Sequence, residues 1–412
     1  MDSFINRWIK ISFLNLLFVA FAGFILRYKI LLPLSFIDQK HLLHGHSHFA
    51  FAGWITQTLM ALMVAYLYKQ KTSISMAIYK WLLIINLIAA YGMLISFPIQ
   101  GYGAVSITFS TITIFISYIF SVQYWRDLDK LSNKSVVHLW FKAAMLFNVF
   151  SSIGTFGLAY MMANKMAVQN LYLGAVYYYL HFQYNGWFLF VCIGLFLSEL
   201  ISIATISKKE LNTIFWLFAL TCVPTYFLSA LWLPIPLFVY ILVVIASFVQ
   251  VFAWFWLLKI ICKNRQQIIS SMSLLNKWMF ALCTLALTMK LLLQLASTIP
   301  SLSTLTIGFR PIVIAYLHLV LLGVISIFLL SYIFFKKYVA LNKTIKVGVI
   351  IFIGGIILNE LILMLQGIAA LSYNSLPFTN EMLLVAAIVM FSGIFLMLFS
   401  QINFAKNQKN SI

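Results

Sequence analysis

Acidic side chains are scarce in this sequence: 8 Asp and Glu stand against 27 Lys and Arg in 412 residues. Charged residues of both signs make up only 8%, whereas 63% are hydrophobic and the mean hydropathy is +1.01. That balance excludes a soluble domain of this size. It also changes the meaning of the formal charge of +19, which in a soluble protein would suggest nucleic acid. Here the basic residues fall mostly between apolar runs, where they orient a membrane protein, so no nucleic-acid partner is expected. The four cysteines, Cys192, Cys222, Cys262 and Cys283, form no CxxC or other metal-ligand spacing and read as packing residues. The first apolar run follows Arg7 and Lys10 and lacks an Ala-x-Ala cleavage site, so it reads as a membrane span.

Apolar runs long enough to cross roughly 30 Å of hydrocarbon lie near 8–28, 43–67, 79–98, 103–124, 136–162, 171–199, 211–232, 236–260, 276–298, 311–335, 346–371 and 380–404. The expected fold is all-α: a polytopic membrane protein of twelve transmembrane helices in a single integral membrane domain, 1–412. Short connections leave no room for a soluble domain. With the N-terminus inside, 21 of the 27 basic residues fall on the cytoplasmic side, Lys71, Lys406 and Lys409 among them. The outer loops 97–103, 233–236 and 372–381 carry almost none. Both termini are therefore expected in the cytoplasm, in the cell inner (plasma) membrane, with the lipid bilayer as the first partner.

Histidine inside a span is costly unless it binds a metal, moves a proton or hydrogen-bonds a neighbour. Three of the seven share a pattern: His48 precedes FAFAGW, His181 precedes FQYNGW and His318 precedes LVLLGV. Each reads His, four residues, Gly, then a large apolar residue. The intervals are 133 and 137 residues, and the histidines fall on helices 2, 6 and 10, a four-helix unit repeated three times. Even-numbered helices run inward from outside, so each histidine lies roughly 8–15 Å below the outer face. Unrelated core histidines on polar contacts are the alternative. His44 and His46 precede His48 on the same helix, as alternative axial ligands or a peripheral divalent-metal site; His48 is preferred because only it matches the repeat. His41 and His138 sit at span edges and read as interfacial.

On these stretches the chain resembles the catalytic subunit of the heme-copper oxidase superfamily. GFILRYKILLP at 23–33 is similar to that family's helix 1 exit and HGHSHFAFAGW at 44–54 to its helix 2 segment. YLHFQYNGW at 179–187 resembles helix 6 of the nitric oxide reductase branch, and YLHLVLLGV at 316–324 the second half of the helix 10 His-x-His motif. The resemblance implies three four-helix arcs, with His48 and His318 as axial ligands of a low-spin heme b and His181 as one ligand of a second metal, copper or non-heme iron. Two neutral imidazoles suit six-coordinate iron.

Departures from the pattern bear on chemistry. Tyr316 stands where the family has its high-spin heme ligand, and helix 7, at 215–232, has no histidine. An ordinary oxygen-reducing centre is therefore not expected. Tyr184, three residues after His181, could donate to a bound ligand. Heme propionates would need cations, for which Arg310, Lys290 and Arg27 lie toward the outer side; each could instead snorkel to headgroups. Glu360 is central in helix 11, where a carboxyl must be neutral, paired or on a proton route. No chain of acidic residues supports proton pumping. The implied role is redox, an oxidoreductase of the heme-copper type if an enzyme, with quinol or a cytochrome as electron donor. A non-catalytic heme or copper protein of the NnrS type and a membrane transporter are the alternatives.

Overall fold

The computed structural model describes residues 2–70, 74–166, 168–303, 310–371, 374 and 376–410, with side chains for all of these but 2, 3, 371 and 402–410. Lys71, the side chains of Lys406 and Lys409, and residues 372, 373 and 375 of the outer loop lie outside the described residues. No strand occurs among the described residues. In an apolar run of this length the backbone must satisfy itself, which a helix does. Among the described residues eleven helices are long and apolar enough to cross a membrane, or twelve with one bent pair counted as a span. They are α1 Phe4–Leu31, α2 Gln39–Lys69, α3 Met76–Gln100, α4 Ala104–Asp129, α5 Val136–Ala163 and α6 Gln169–Ile203. The bent pair, α7, joins Lys208–Cys222 to Pro224–Ala230 at 41°. Then follow α8 Leu237–Lys263, α9 Leu274–Ala296, α10 Arg310–Phe335, α11 Lys343–Ala370 and α12 Thr379–Gln401. The chain is an all-α, multi-pass membrane protein.

Polar residues at the helix starts set their boundaries. Asp38 accepts the His41 N–H at 2.8 Å and opens α2; Ser135, Ser207 and Ser273 cap α5, α7 and α9 the same way. The sequence reads 211–232 as one span, and the structure breaks it. Pro224 supplies no N–H and its ring collides with the carbonyl one turn back, so the α-helix stops at Cys222 and a 3₁₀ turn follows.

The chain forms two compact units, residues 1–120 with 329–412, and residues 121–328. In the first, α2 is the most buried span and lies against α1 and α3. Close approach there depends on small residues: a Cβ on Gly45 would sit 3.0 Å from Cδ of Pro98 in α3. At the α11–α12 contact a Cβ on Gly393 would stand 2.5 Å from the Phe352 nitrogen and 2.7 Å from the Gly348 oxygen. In the second unit, Trp140 packs on Phe190 and Phe218. α8 buries Ala246, Gln250 and Ala253 on one side and exposes Ile241, Ile245, Phe248 and Phe252 on the other, an apolar face suited to lipid.

Candidate functional site

Each of the three His-x4-Gly stretches passes into a π-helical segment: Ala50–Thr56 after His48, Phe182–Phe188 after His181, and Leu319–Ser326 after His318. Wider turns of this kind are rare and cluster at functional sites. The repeated glycine lies inside each one, at Gly53, Gly186 and Gly323. A Cβ on Gly53 would meet the Phe49 ring at 2.6 Å, and one on Gly186 would collide with Phe147. The sequence repeat is thus also a repeat of backbone geometry.

In α2 the π segment is held by amides from its neighbours. Asn15 of α1 donates to the Gly53 carbonyl at 2.5 Å and accepts from the Tyr91 hydroxyl at 2.8 Å. Asn86 of α3 donates to the Ala52 carbonyl at 3.2 Å and to Gln57 Oε1 at 2.7 Å. Carbonyls freed from the α pattern thereby regain donors in an apolar setting. In α10 the Cys283 thiol of α9 donates to the Val324 carbonyl at 3.3 Å and Ser326 to that of Leu321 at 2.8 Å. Asn15 and Asn86 give no signal in the sequence because a lone polar residue within an apolar run carries no spacing pattern, and Cys283 reads there only as a packing residue.

The α2 histidines divide between two faces. His46 points to α1: its Nδ1 lies 3.1 Å from the Val19 carbonyl, and its Cε1 lies 3.4 Å from where Gly23 would carry a Cβ. Nδ1 must carry the proton to donate there, which leaves the lone pair on Nε2, the tautomer a metal-bound histidine takes. His44 and His48 face α3 and its outer turn. The His48 ring stacks on Phe97 with centroids 4.4 Å apart, and its Nε2 lies 3.2 Å from the Tyr102 hydroxyl. The His44 ring meets Tyr102 edge-on at 4.6 Å, and its Nε2 is buried without a hydrogen-bond partner. His41 packs on Gly101, whose φ of +60° ends α3. Outside the spans, the Asp38 carboxyl is held below its usual range by the His41 backbone N–H.

His181 is 1% exposed in the second unit. Its Nε2 donates to the Cys222 carbonyl at 2.8 Å and its Nδ1 accepts from Asn185 at 3.0 Å. Both nitrogens are committed to protein partners, so the ring as it stands has no lone pair for a second metal. Cys222 is the last α-helical residue before the α7 break; its carbonyl also accepts from Thr225, which receives a bond from Gln250 at 3.2 Å. Tyr184 and Tyr316 meet edge-on with centroids 6.2 Å apart.

His318 is half-buried at the end of the stretch Arg310–His318, which has no fully buried residue. Lys290 is 2% exposed and lies on the buried stripe of α9 with Cys283 and Gln294. Arg310 is exposed and Arg27 half-buried in the other unit. Glu360, in α11, accepts from Asn359 at 3.1 Å. Among the described residues no three His, Cys, Asp or Glu side chains are grouped to hold a metal. No family model matches the chain, and no curated protein is significantly similar to it.

Proposed function

We propose that this chain is a heme-binding redox protein of the plasma membrane, exchanging electrons with a quinol or a cytochrome. The observation that carries the reading is the coincidence of each His-x4-Gly stretch with a π-helical segment, three times in one chain. Such segments are frequent at functional sites, and a histidine stands at or just before the start of each one. A b-type heme with imidazole ligation supplies reversible one-electron transfer.

Within α2 the geometry favours His46 as the ligand where the motif favours His48. The Val19 carbonyl fixes the His46 ring and selects its tautomer. Gly23 leaves the ring room against α1. The residues around His181 do not fit a copper or non-heme iron site, because both ring nitrogens are hydrogen-bonded to protein.

The reduced-minus-oxidised visible spectrum of the detergent-purified protein tests the reading. A b-type spectrum, lost in His46→Ala and kept in His48→Ala, is the expected result. A folded wild-type protein without heme overturns it.

A second reading, passage of an ion or small solute through the second unit, is favoured by the break in α7, because interrupted helices with buried polar groups form such sites. Proton flux into proteoliposomes loaded with a pH-sensitive dye tests it; flux equal to that of protein-free vesicles refutes it.

A further inference from the structure

The geometry points to a divalent copper site at the outer end of α2, built from Nε2 of His44, Nε2 of His48 and the phenol oxygen of Tyr102. It is distinct from the proposed heme ligand, because His46 faces α1 while these three groups face α3 and the turn after it. The inference does not rest on the heme reading.

Four observations carry it. His44 and His48 are four residues apart on one helix, which puts their Cβ atoms about 5–6 Å apart on the same face. Tyr102 touches both rings, edge-on to His44 at 4.6 Å and to His48 at 6.0 Å. The His48 Nε2 and Tyr102 oxygen are 3.2 Å apart. Two donors each about 2.0–2.1 Å from one ion and subtending 90–109° lie about 2.9–3.4 Å apart, so this hydrogen bond already has the span of two ligands on one metal. The His44 nitrogen is buried beside them with no hydrogen-bond partner, which calls for an ion or a water.

The donor set selects the ion. Two imidazole nitrogens and one phenolate oxygen suit Cu2+, which also binds tightest among the first-row divalent ions. On binding, the Tyr102 proton passes to water and the phenolate takes its place on the metal. Tyr102 is 39% exposed, and a cavity of about 590 Å³ lined by Asp38, His41 and Pro98 lies at the same end of α2, one turn before His44.

Titration of the full-length detergent-purified protein with Cu2+ alone, followed by electron paramagnetic resonance, is the test. The expected result is one bound ion with nitrogen splitting from two equatorial imidazoles. Affinity should fall at least about tenfold in His44→Ala and in His48→Ala, fall less in Tyr102→Phe, and stay unchanged in His46→Ala. Wild-type affinity in both His44→Ala and His48→Ala overturns the proposal. Should either alanine variant not fold, the wild-type spectrum decides alone: splitting from two nitrogens supports the site, and one or none overturns it. Heme content read on the same samples separates the two proposals, since His44→Ala should lose copper and keep heme.

Discussion

Replacing Asn15 with leucine probes whether the π segment of α2 is held from outside or holds itself. Asn15 is 0% exposed and makes two bonds, to the Gly53 carbonyl and from the Tyr91 hydroxyl. Leucine has similar volume, so the change removes polarity while leaving packing nearly intact. In membrane proteins a side-chain hydrogen bond contributes about 0.6 kcal/mol on average and up to about 1.7. Losing both should cost about 1–3 kcal/mol, a shift of roughly 5- to 150-fold in the unfolding equilibrium. Reversible unfolding in mixed detergent, followed by tryptophan fluorescence, reads that shift as a lower midpoint. Tyr91→Phe removes only the second bond and should cost about half as much. The double variant should fall short of the summed losses by the energy of the shared bond. An Asn15→Leu protein with the wild-type midpoint would refute the argument that the neighbours hold this segment.

Three further outcomes follow from the same geometry. Gly393→Leu drives a side chain into the Phe352 nitrogen and Gly348 oxygen, and should destabilise the α11–α12 contact by about 1–3 kcal/mol, seen as a lower melting temperature in detergent; an unchanged value contradicts the close approach. His181→Ala leaves the Cys222 carbonyl with only Thr225 and should lower stability, whereas His181→Gln can keep a donor and recover part of the loss; equal loss in both argues against the hydrogen-bonding role. The Asp38 carboxyl has its folded-state pKa lowered by the His41 N–H, so its contribution is present above the ordinary carboxylate pKa and lost as pH falls through the folded value. Hydrogen exchange at the His41 amide should therefore quicken in acid beyond the intrinsic rate, and that excess should vanish in Asp38→Asn.

The spans were legible because hydropathy over about twenty residues is a strong, local signal. Their ends were less so: α2 starts at Gln39 and not near 43, since the Asp38 cap and a polar first turn extend the helix beyond the apolar window. The α7 break was announced by Pro224, but the unbroken apolar composition of 211–232 hid it. The histidine repeat was readable as letters, with its glycine, whereas the π segments were not, because the register of backbone hydrogen bonds leaves no trace in side-chain polarity. Which neighbour each face of α2 meets was also hidden. The repeat singles out His48 and a spacing of four pairs it with His44, but that His46 meets the Val19 carbonyl and the other two meet Tyr102 is visible only in the structure.

A π turn accommodates one residue more than an α turn, and one residue amounts to about 100° of rotation about the axis. The halves of α2, α6 and α10 on either side of their π segments are thus out of phase, each free to match a different set of neighbours. Removing a single residue from the run Ala50–Thr56 would bring the halves of α2 back into phase and swing His44, His46 and His48 together to new directions. The loss of one residue would in this way redirect all three histidines of the helix at once.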